Sequence, residues 1–315
     1  MSEAPHIPVM LNEVVEHLAP RDGGVYVDGT FGAGGYSRAI LEKANCKVVG
    51  IDRDMSAIEA ANDMINEFDG RLILVHGTFG DVRAHLNALG IERIDGFVLD
   101  IGVSSMQIDQ AERGFSFRFD GPLDMRMDMS SGQTAQDIVM RMEEEDLANL
   151  IYKYGEERLS RRIARAIVKV RGEAPIETTE QLADIVRGCV PRSGKNAIDP
   201  ATRTFQALRI AVNDELGQLE QAIESAPDIL SEDGRLVIVT FHSLEDRIVK
   251  KAFQALAGKT PQTSRHLPQV APSQDVPSFG LLSRKAVFPT DKETQTNPRA
   301  RSAKLRSLIK LKEAA

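Results

Sequence analysis

An acid followed by a run of glycines is the feature of this chain best suited to chemistry. Asp28-Gly29-Thr30-Phe31-Gly32-Ala33-Gly34-Gly35-Tyr36 offers four glycines in seven residues behind a carboxylate. Glycine lets the backbone approach a ligand closely, and a helix that starts after the loop presents unbonded N–H groups. A dinucleotide loop reads Gly-x-Gly-x-x-Gly, with its pyrophosphate on the helix dipole. Gly32 and Gly34 fit that pattern, but Ser37 occupies the third position. The chain also lacks the Gly-x-x-x-x-Gly-Lys-Ser/Thr of a P-loop. An acid ahead of such a loop suits a cationic, phosphate-free ligand. S-adenosylmethionine, with its ammonium and sulfonium, has that character. Asp52 adds a second signal, because it lies roughly 20 residues beyond the loop, where an acid takes the ribose hydroxyls of a bound adenosine. Either feature alone is met by a plain glycine turn or a surface acid. The spacing of the pair is what points to a cofactor pocket.

These residues need a scaffold. Short apolar segments at 25–28, 47–52, 71–75 and 95–100 alternate with helical patterns at about 37–44, 55–67 and 80–89. Such alternation implies a parallel sheet covered on both faces, with ligands at the carboxyl ends of the strands where their order reverses. Asp28, Asp52 and Asp100 each close one segment. A leading helix is expected over 10–19, ended by Pro20. After Asp100 the rhythm breaks: 107–132 is polar and loop-like, and 134–190 is helical without a strand. A long helix then opens with Asp199 as N-cap and Pro200 in the first position. Phe205, Leu208, Val212, Leu216, Leu219 and Ile223 line one face of it. The α/β rhythm resumes with a strand at 236–240 and a helix over 243–256. Residues 258–280, rich in Pro, Ser and Gln, are expected to form a mobile loop. Segments 283–288 and 304–310 are expected to pair as a hairpin at the sheet edge. The expected fold is α/β, with residues 1–107 and 213–315 forming the cofactor-binding domain and 108–212 an inserted helical one.

Composition narrows the function. No apolar run approaches the roughly 20 residues that span a bilayer, and the start lacks a basic segment followed by an apolar one. Cys46 and Cys189 make neither a disulfide framework nor a Cys-x-x-Cys pair, so a cytoplasmic location is expected. The six histidines are scattered, and no metal site is expected. The net charge of −7 argues against a protein coated in phosphate-binding charge, although the local distribution matters more than the sum.

Further segments carry a resemblance that runs from end to end. They are His6-Ile-Pro-Val-Met-Leu-Asn-Glu13, Val27-Asp-Gly-Thr-Phe-Gly-Ala-Gly-Gly35, Gly50-Ile-Asp-Arg-Asp54 and Asp100-Ile-Gly-Val-Ser-Ser105. Then come Glu112-Arg-Gly-Phe-Ser-Phe117, Asp120-Gly-Pro-Leu-Asp-Met-Arg-Met-Asp128 and Tyr154-Gly-Glu-Glu-Arg158. The last are Pro200-Ala-Thr-Arg-Thr-Phe-Gln-Ala207, Phe241-His-Ser-Leu-Glu-Asp-Arg247 and Asn297-Pro-Arg-Ala-Arg-Ser302. With these the chain resembles the bacterial small-subunit rRNA cytosine-N4 methyltransferases, the RsmH or MraW family. The resemblance implies a Rossmann-like class I methyltransferase sheet with an inserted all-helical domain, S-adenosylmethionine as cofactor, and a cytidine in the decoding centre of 16S rRNA as target. It implies cofactor contacts at Gly34, Gly35, Tyr36, Asp52, Phe79, Asp100 and Gln107. Tyr36 stands where the family usually has His, and Met106, in the turn before Gln107, where it usually has Pro.

An exocyclic cytosine amine is a poor nucleophile, because its lone pair is delocalised into the ring. Its methylation needs in-line alignment and acceptors for the amine protons, with no metal and no covalent intermediate. Methylation at carbon 5 needs a cysteine nucleophile, and neither cysteine follows strand four or five. Asp100, His242 and Ser243, at carboxyl ends of central strands, are the candidate catalytic groups. For His242 the plain alternative is a helix-start residue, with Ser243 as N-cap. For RNA, Arg158, Arg161, Arg162, Arg165 and Lys169 form a stripe about 100° wide at helical pitch, opposite Ile163, Ile167 and Val170. A second basic cluster comprises Arg299, Arg301, Lys304, Arg306, Lys310 and Lys312. Phe115, Phe117 and Phe119 either stack on bases or pin their loop to the core. Methylation of DNA, protein or a small molecule, and a non-catalytic role in ribosome assembly, stand as alternatives. Loss of cofactor binding on mutating Asp52 would leave the last of these unaffected.

Overall fold

A computed structural model of the chain describes residues 8–103, 105–191, 198–259 and 277–312. The chain starts with helix α1 (Leu11–Leu18), then alternates strand β1 (Val25–Asp28), α2 (Gly35–Lys43), β2 (Lys47–Asp52), α3 (Met55–Ala60), α4 (Asn62–Glu67), β3 (Leu72–His76), α5 (Val82–Ala88) and β4 (Ile94–Asp100). Among the described residues, six helices without a strand follow: α6 (Ser105–Asp109), α7 (Ala135–Arg141), α8 (Glu144–Gly155), α9 (Ser160–Arg171), α10 (Thr179–Cys189) and α11 (Ala201–Asn213). Then come α12 (Glu215–Ile229), β5 (Leu230–Thr240), α13 (Ser243–Leu256), β6 (Phe279–Leu281), α14 (Asp291–Thr296) and β7 (Lys304–Lys310). Two compact units result, one of residues 1–102 with 217–315 and one of 103–216.

The first unit is a seven-stranded sheet in the order β3-β2-β1-β4-β5-β7-β6. Strands β1 to β5 are parallel, while β7 runs antiparallel to β5 and to β6. This is the Rossmann-like class I methyltransferase arrangement. The strand sequences explain why both faces are covered, since each alternates between two cores. Tyr26, Val48, Val98 and Val237 meet α1, α2 and α4 on one face. Val27, Val49, Phe97 and Ile238 meet α5, α12 and α13 on the other. Strands buried on both faces read as continuous apolar runs, which is how they stood out in the sequence. The order reverses between β1 and β4, so the loops leaving Asp28 and Asp100 diverge and open a crevice.

Several boundaries differ from expectation. The helix expected over 55–67 breaks at Ala61, which leaves helical geometry at ψ 7°. The long helix expected to carry Phe205 through Ile223 along one face is two helices, because Asp214 turns left-handed at φ 48°. Short polar residues tolerate that conformation best. The edge strand lies at Phe279–Leu281 rather than 283–288, and β7 sits inside the sheet between β5 and β6. Phe279 gains a buried place in the core, whereas Phe288 is 61% exposed and only Val287 makes an isolated bridge to Leu305. Of the loop expected over 258–280, residues 260–276 lie outside the described residues, and Phe279 and Gly280 belong to a strand.

The second unit is all helical around its own core, which includes Leu147, Ile151, Ile163, Ile167, Leu182, Val186, Phe205 and Leu208. Capping boxes start α7 (Thr134 with Asp137) and α10 (Thr178 with Gln181). Gly155 lets α8 approach α11 closely, since a Cβ there would lie 2.5 Å from the Arg203 carbonyl oxygen. The polar stretch 107–132 is anchored rather than loose. Arg113 donates to the Met127 carbonyl at 2.9 Å. Asn213 receives the Met127 N–H at 2.8 Å and donates to the Met125 carbonyl at 2.7 Å. Asn213→Ala strands these buried backbone groups and is expected to destabilise the chain by about 2–3 kcal/mol, read as a lowered midpoint in urea unfolding of the full-length protein.

Candidate active site

The glycine loop is strapped across the ends of the central strands. The Gly29 N–H donates to the Val98 carbonyl and the Phe31 N–H to the Ile51 carbonyl, each at 3.0 Å. Gly34 is left-handed at φ 75°, and a Cβ on it would come within 2.8 Å of Phe31 and of Met64. Only glycine meets both demands. The N-cap Gly34 brings no side chain to the start of α2, and Asp28 takes the Ser37 N–H of its first turn.

Three carboxylates surround this loop. Asp28 is buried, and its Oδ2 accepts from the Ser37 hydroxyl at 2.8 Å. Asp52 accepts from the Gly32 N–H at 2.7 Å and the Asp54 N–H at 2.8 Å. The Asp100 backbone N–H donates to Thr30 Oγ1 at 2.7 Å, and its buried Oδ1 has no hydrogen-bond partner among the described residues. Burial pushes the Asp28 carboxyl up to about 6, against the donors Ser37 and Thr30. Burial also raises Asp52, against the N–H donors of Asp54 and Gly32. Asp100 is pushed up to about 8, first by burial and then by the charges of Asp28 and Glu245. Around Asp28 and Asp100 the neighbouring charges are thus all acidic. Such a set suits a ligand that brings positive charge.

The structure brings most of the expected contact residues to this place. Gly34, Gly35 and Tyr36 start α2, and Asp52 ends β2. Phe79 opens a single helical turn after β3 and lies beside the loop, 3.0 Å from where a Gly29 Cβ would stand. Tyr36 does not point its ring at solvent: the ring is in the core, and its hydroxyl donates to the Val9 carbonyl next to Asp100. Burial raises the Tyr36 hydroxyl well above its usual range, and the Asp100 charge adds to this. The Tyr36 hydroxyl also shares a hydrogen bond with the Asp100 carboxyl, so its side chain braces that acid from the core while its backbone starts α2. Gln107 belongs to the second unit, buried within α6.

His242 and Ser243 follow one residue after β5, whose end pairs with the end of β4. The helix cap is His242 and not Ser243, which is the first residue of α13. His242 shares a capping box with Glu245, whose Oε2 accepts the Phe241 N–H at 2.8 Å and the His242 N–H at 3.2 Å. The other oxygen, Oε1, lies 2.6 Å from His242 Nε2, too poorly aligned for a hydrogen bond. Glu245 was not legible as a site residue, because an acid in the first turn of a helix is ordinary.

The basic residues divide. Arg161, Arg162, Arg165 and Lys169 are exposed on α9, with Arg158 exposed in the turn before it and Ile163 and Ile167 buried opposite. An acid does reach the stripe, since Glu144 of α8 lies 3.5 Å from Arg165. The C-terminal cluster is largely used internally. Lys304 and Arg306 pair with Asp246 at 3.2 and 2.7 Å, Lys312 pairs with Asp233, and Lys310 donates to the Pro227 and Leu230 carbonyls. The phenylalanines divide too. Phe117 packs edge-on against Phe205 and Phe115 lies under Arg113, while Phe119 is 64% exposed.

Residues 3–311 match the model of the MraW methylase family. A ribosomal RNA small subunit methyltransferase H from Gluconobacter oxydans is 60% identical over 96% of this chain and 93% of its own. Proteins of the same name from Paramagnetospirillum magneticum and Rhodospirillum rubrum are 57% and 55% identical, over 98% and 96% of this chain and 96% and 94% of theirs. Matched from end to end and built on the methyltransferase sheet, the chain belongs to the MraW methylase family.

Proposed function

We propose that this chain transfers a methyl group from S-adenosylmethionine to N4 of a cytidine in the decoding centre of 16S rRNA, within the small ribosomal subunit. The observation that carries the proposal is the acidic trio Asp28, Asp52 and Asp100 around the glycine loop. The donor set fits the cofactor. Asp52 takes the ribose hydroxyls, Asp28 and Asp100 face its positive charge, Phe79 walls the pocket, and the backbone at Gly34, Gly35 and Tyr36 approaches closely. Gln107 is the remaining contact that the family resemblance implies. Bound there, S-adenosylmethionine supplies an electrophilic methyl group.

Asp100 is the acceptor for the amine proton. Its Oδ1 is buried and unpartnered, and it ends a central strand at the switch point. A buried acceptor left unsatisfied is costly, and the amine N–H satisfies it. As the amine nitrogen gains the methyl group its proton becomes acidic and passes to the carboxylate. His242 and Ser243 border the same strand ends, while Thr30 and Tyr36 hold Asp100 itself. The exposed stripe Arg158, Arg161, Arg162, Arg165 and Lys169 tracks the RNA phosphates.

Incubation with methyl-labelled cofactor and either small subunits or free 16S rRNA tests the assignment. Label in N4-methylcytidine at one nucleotide is expected; label in 5-methylcytidine, or in no RNA, contradicts it. Replacing Arg161, Arg162 and Arg165 with alanine is expected to weaken RNA binding and reduce the slope of log K against log salt by about 2–3, roughly 0.7–0.9 for each phosphate that is no longer neutralised. An unchanged slope makes the stripe a plain solvated face.

A further inference from the structure

Among the described residues, the buried side-chain atoms Asp100 Oδ1, His242 Nε2 and Glu245 Oε1 lack a hydrogen-bond partner. All three lie at the carboxyl ends of β4 and β5. The pair His242 and Glu245 is a poor choice if capping α13 were its only task. Serine, threonine, aspartate and asparagine cap helices better than histidine. Among the described residues the other two boxes use Thr134 with Asp137 and Thr178 with Gln181, and neither Asp137 nor Gln181 is buried. Glu245, by contrast, is fully buried. A neutral glutamine, as at Gln181, accepts the same backbone N–H groups without the cost of burying a charge. The charge therefore has a second use.

Its position states that use. One Glu245 oxygen is fixed by the Phe241 and His242 N–H groups, which aims the other at the His242 ring, 2.6 Å away. The imidazole itself keeps 13% of its side-chain surface exposed. The Glu245 charge also bears on Asp100, which is faced by Asp28 from β1 and Tyr36 from α2 as well. We propose that Glu245 is a positioning residue for methyl transfer: from a fully buried site it fixes the His242 imidazole at the strand-end surface and sets its negative charge against Asp100. The proposal rests on the methyl-transfer function inferred above. A negative neighbour makes Asp100 hold a proton more tightly, so it strengthens Asp100 as the acceptor of the amine proton.

Glu245→Gln keeps the shape and the backbone acceptor and removes the charge. Steady-state kinetics on small subunits across pH are expected to show kcat lower by about 10-fold or more, with the cofactor KM within about 3-fold of wild type. The acid limb of the kcat profile is expected to move down by about one pH unit, because Asp100 loses a proton more easily without its acidic neighbour. A purely structural cap leaves that limb in place. His242→Asn keeps a good N-cap and deletes the ring; it is expected to lower kcat by about 10-fold with thermal stability retained. An unmoved acid limb in Glu245→Gln, or full kcat in His242→Asn, overturns the proposal while wild-type activity leaves the underlying function standing. A wild-type chain inactive on small subunits overturns both.

Discussion

Carboxyl groups held out of water, with acidic neighbours rather than cations around Asp28 and Asp100, are the constraint on which this molecule turns. Asp28, Asp52 and Asp100 close three neighbouring strands, and the parallel register brings their carboxyl groups to one crevice. Burial raises the proton affinity of all three. The sign of the effect on stability follows. The folded chain keeps protons on Asp28 and Asp100 that the unfolded chain gives up near pH 4, so stability falls as pH rises from about 4 towards about 8. A bound cation restores it. The neighbouring sequence serves this arrangement. Ser37 and Thr30 hold Asp28, Thr30 also holds the backbone of Asp100, and the glycines remove the side chains that would fill the space.

Positive charge is distributed with a matching economy. Lys304 and Arg306, on the inner strand β7, neutralise Asp246 on α13, and Lys310 ties the carbonyls at the start of β5. The cations of α9 have fewer internal duties, with Glu144 reaching only Arg165. A chain with a net charge of −7 thereby keeps a basic helix face on its inserted unit. That face fits a partner rich in phosphate.

Much of this was legible in the residues because it rests on local rules. Strands buried on both faces announce themselves as apolar runs, and the acids at 28, 52 and 100 sit at their ends by simple counting. The glycine loop excluded two phosphate-binding loops before any fold was drawn. What stayed hidden depends on contacts remote in sequence. Asp214 splits a helix whose apolar periodicity continues across it, and Asn213, beside the break, is spent on the backbone of residues 125 and 127. The edge strand fell at 279–281 because Phe279 finds the core and Phe288 does not, which no window of hydrophobicity distinguishes. Lys304 and Arg306 read as part of an RNA surface in the sequence, yet both pair with Asp246, 58 and 60 residues away. Glu245 looked like any acid in a first helical turn until its burial was known.

The central claim is that the crevice is an acidic site completed by a cationic cofactor, and proton linkage tests it most directly. Titration calorimetry of S-adenosylmethionine binding at pH 7.5, in buffers of different ionisation enthalpy, counts the protons exchanged. A cation beside Asp100, whose carboxyl stands at about 8, lowers its proton affinity, so a net release of up to about three-quarters of a proton is predicted. The demethylated cofactor, which lacks the sulfonium charge, is predicted to release fewer. A binding heat independent of buffer, with no proton released by S-adenosylmethionine, would contradict the account.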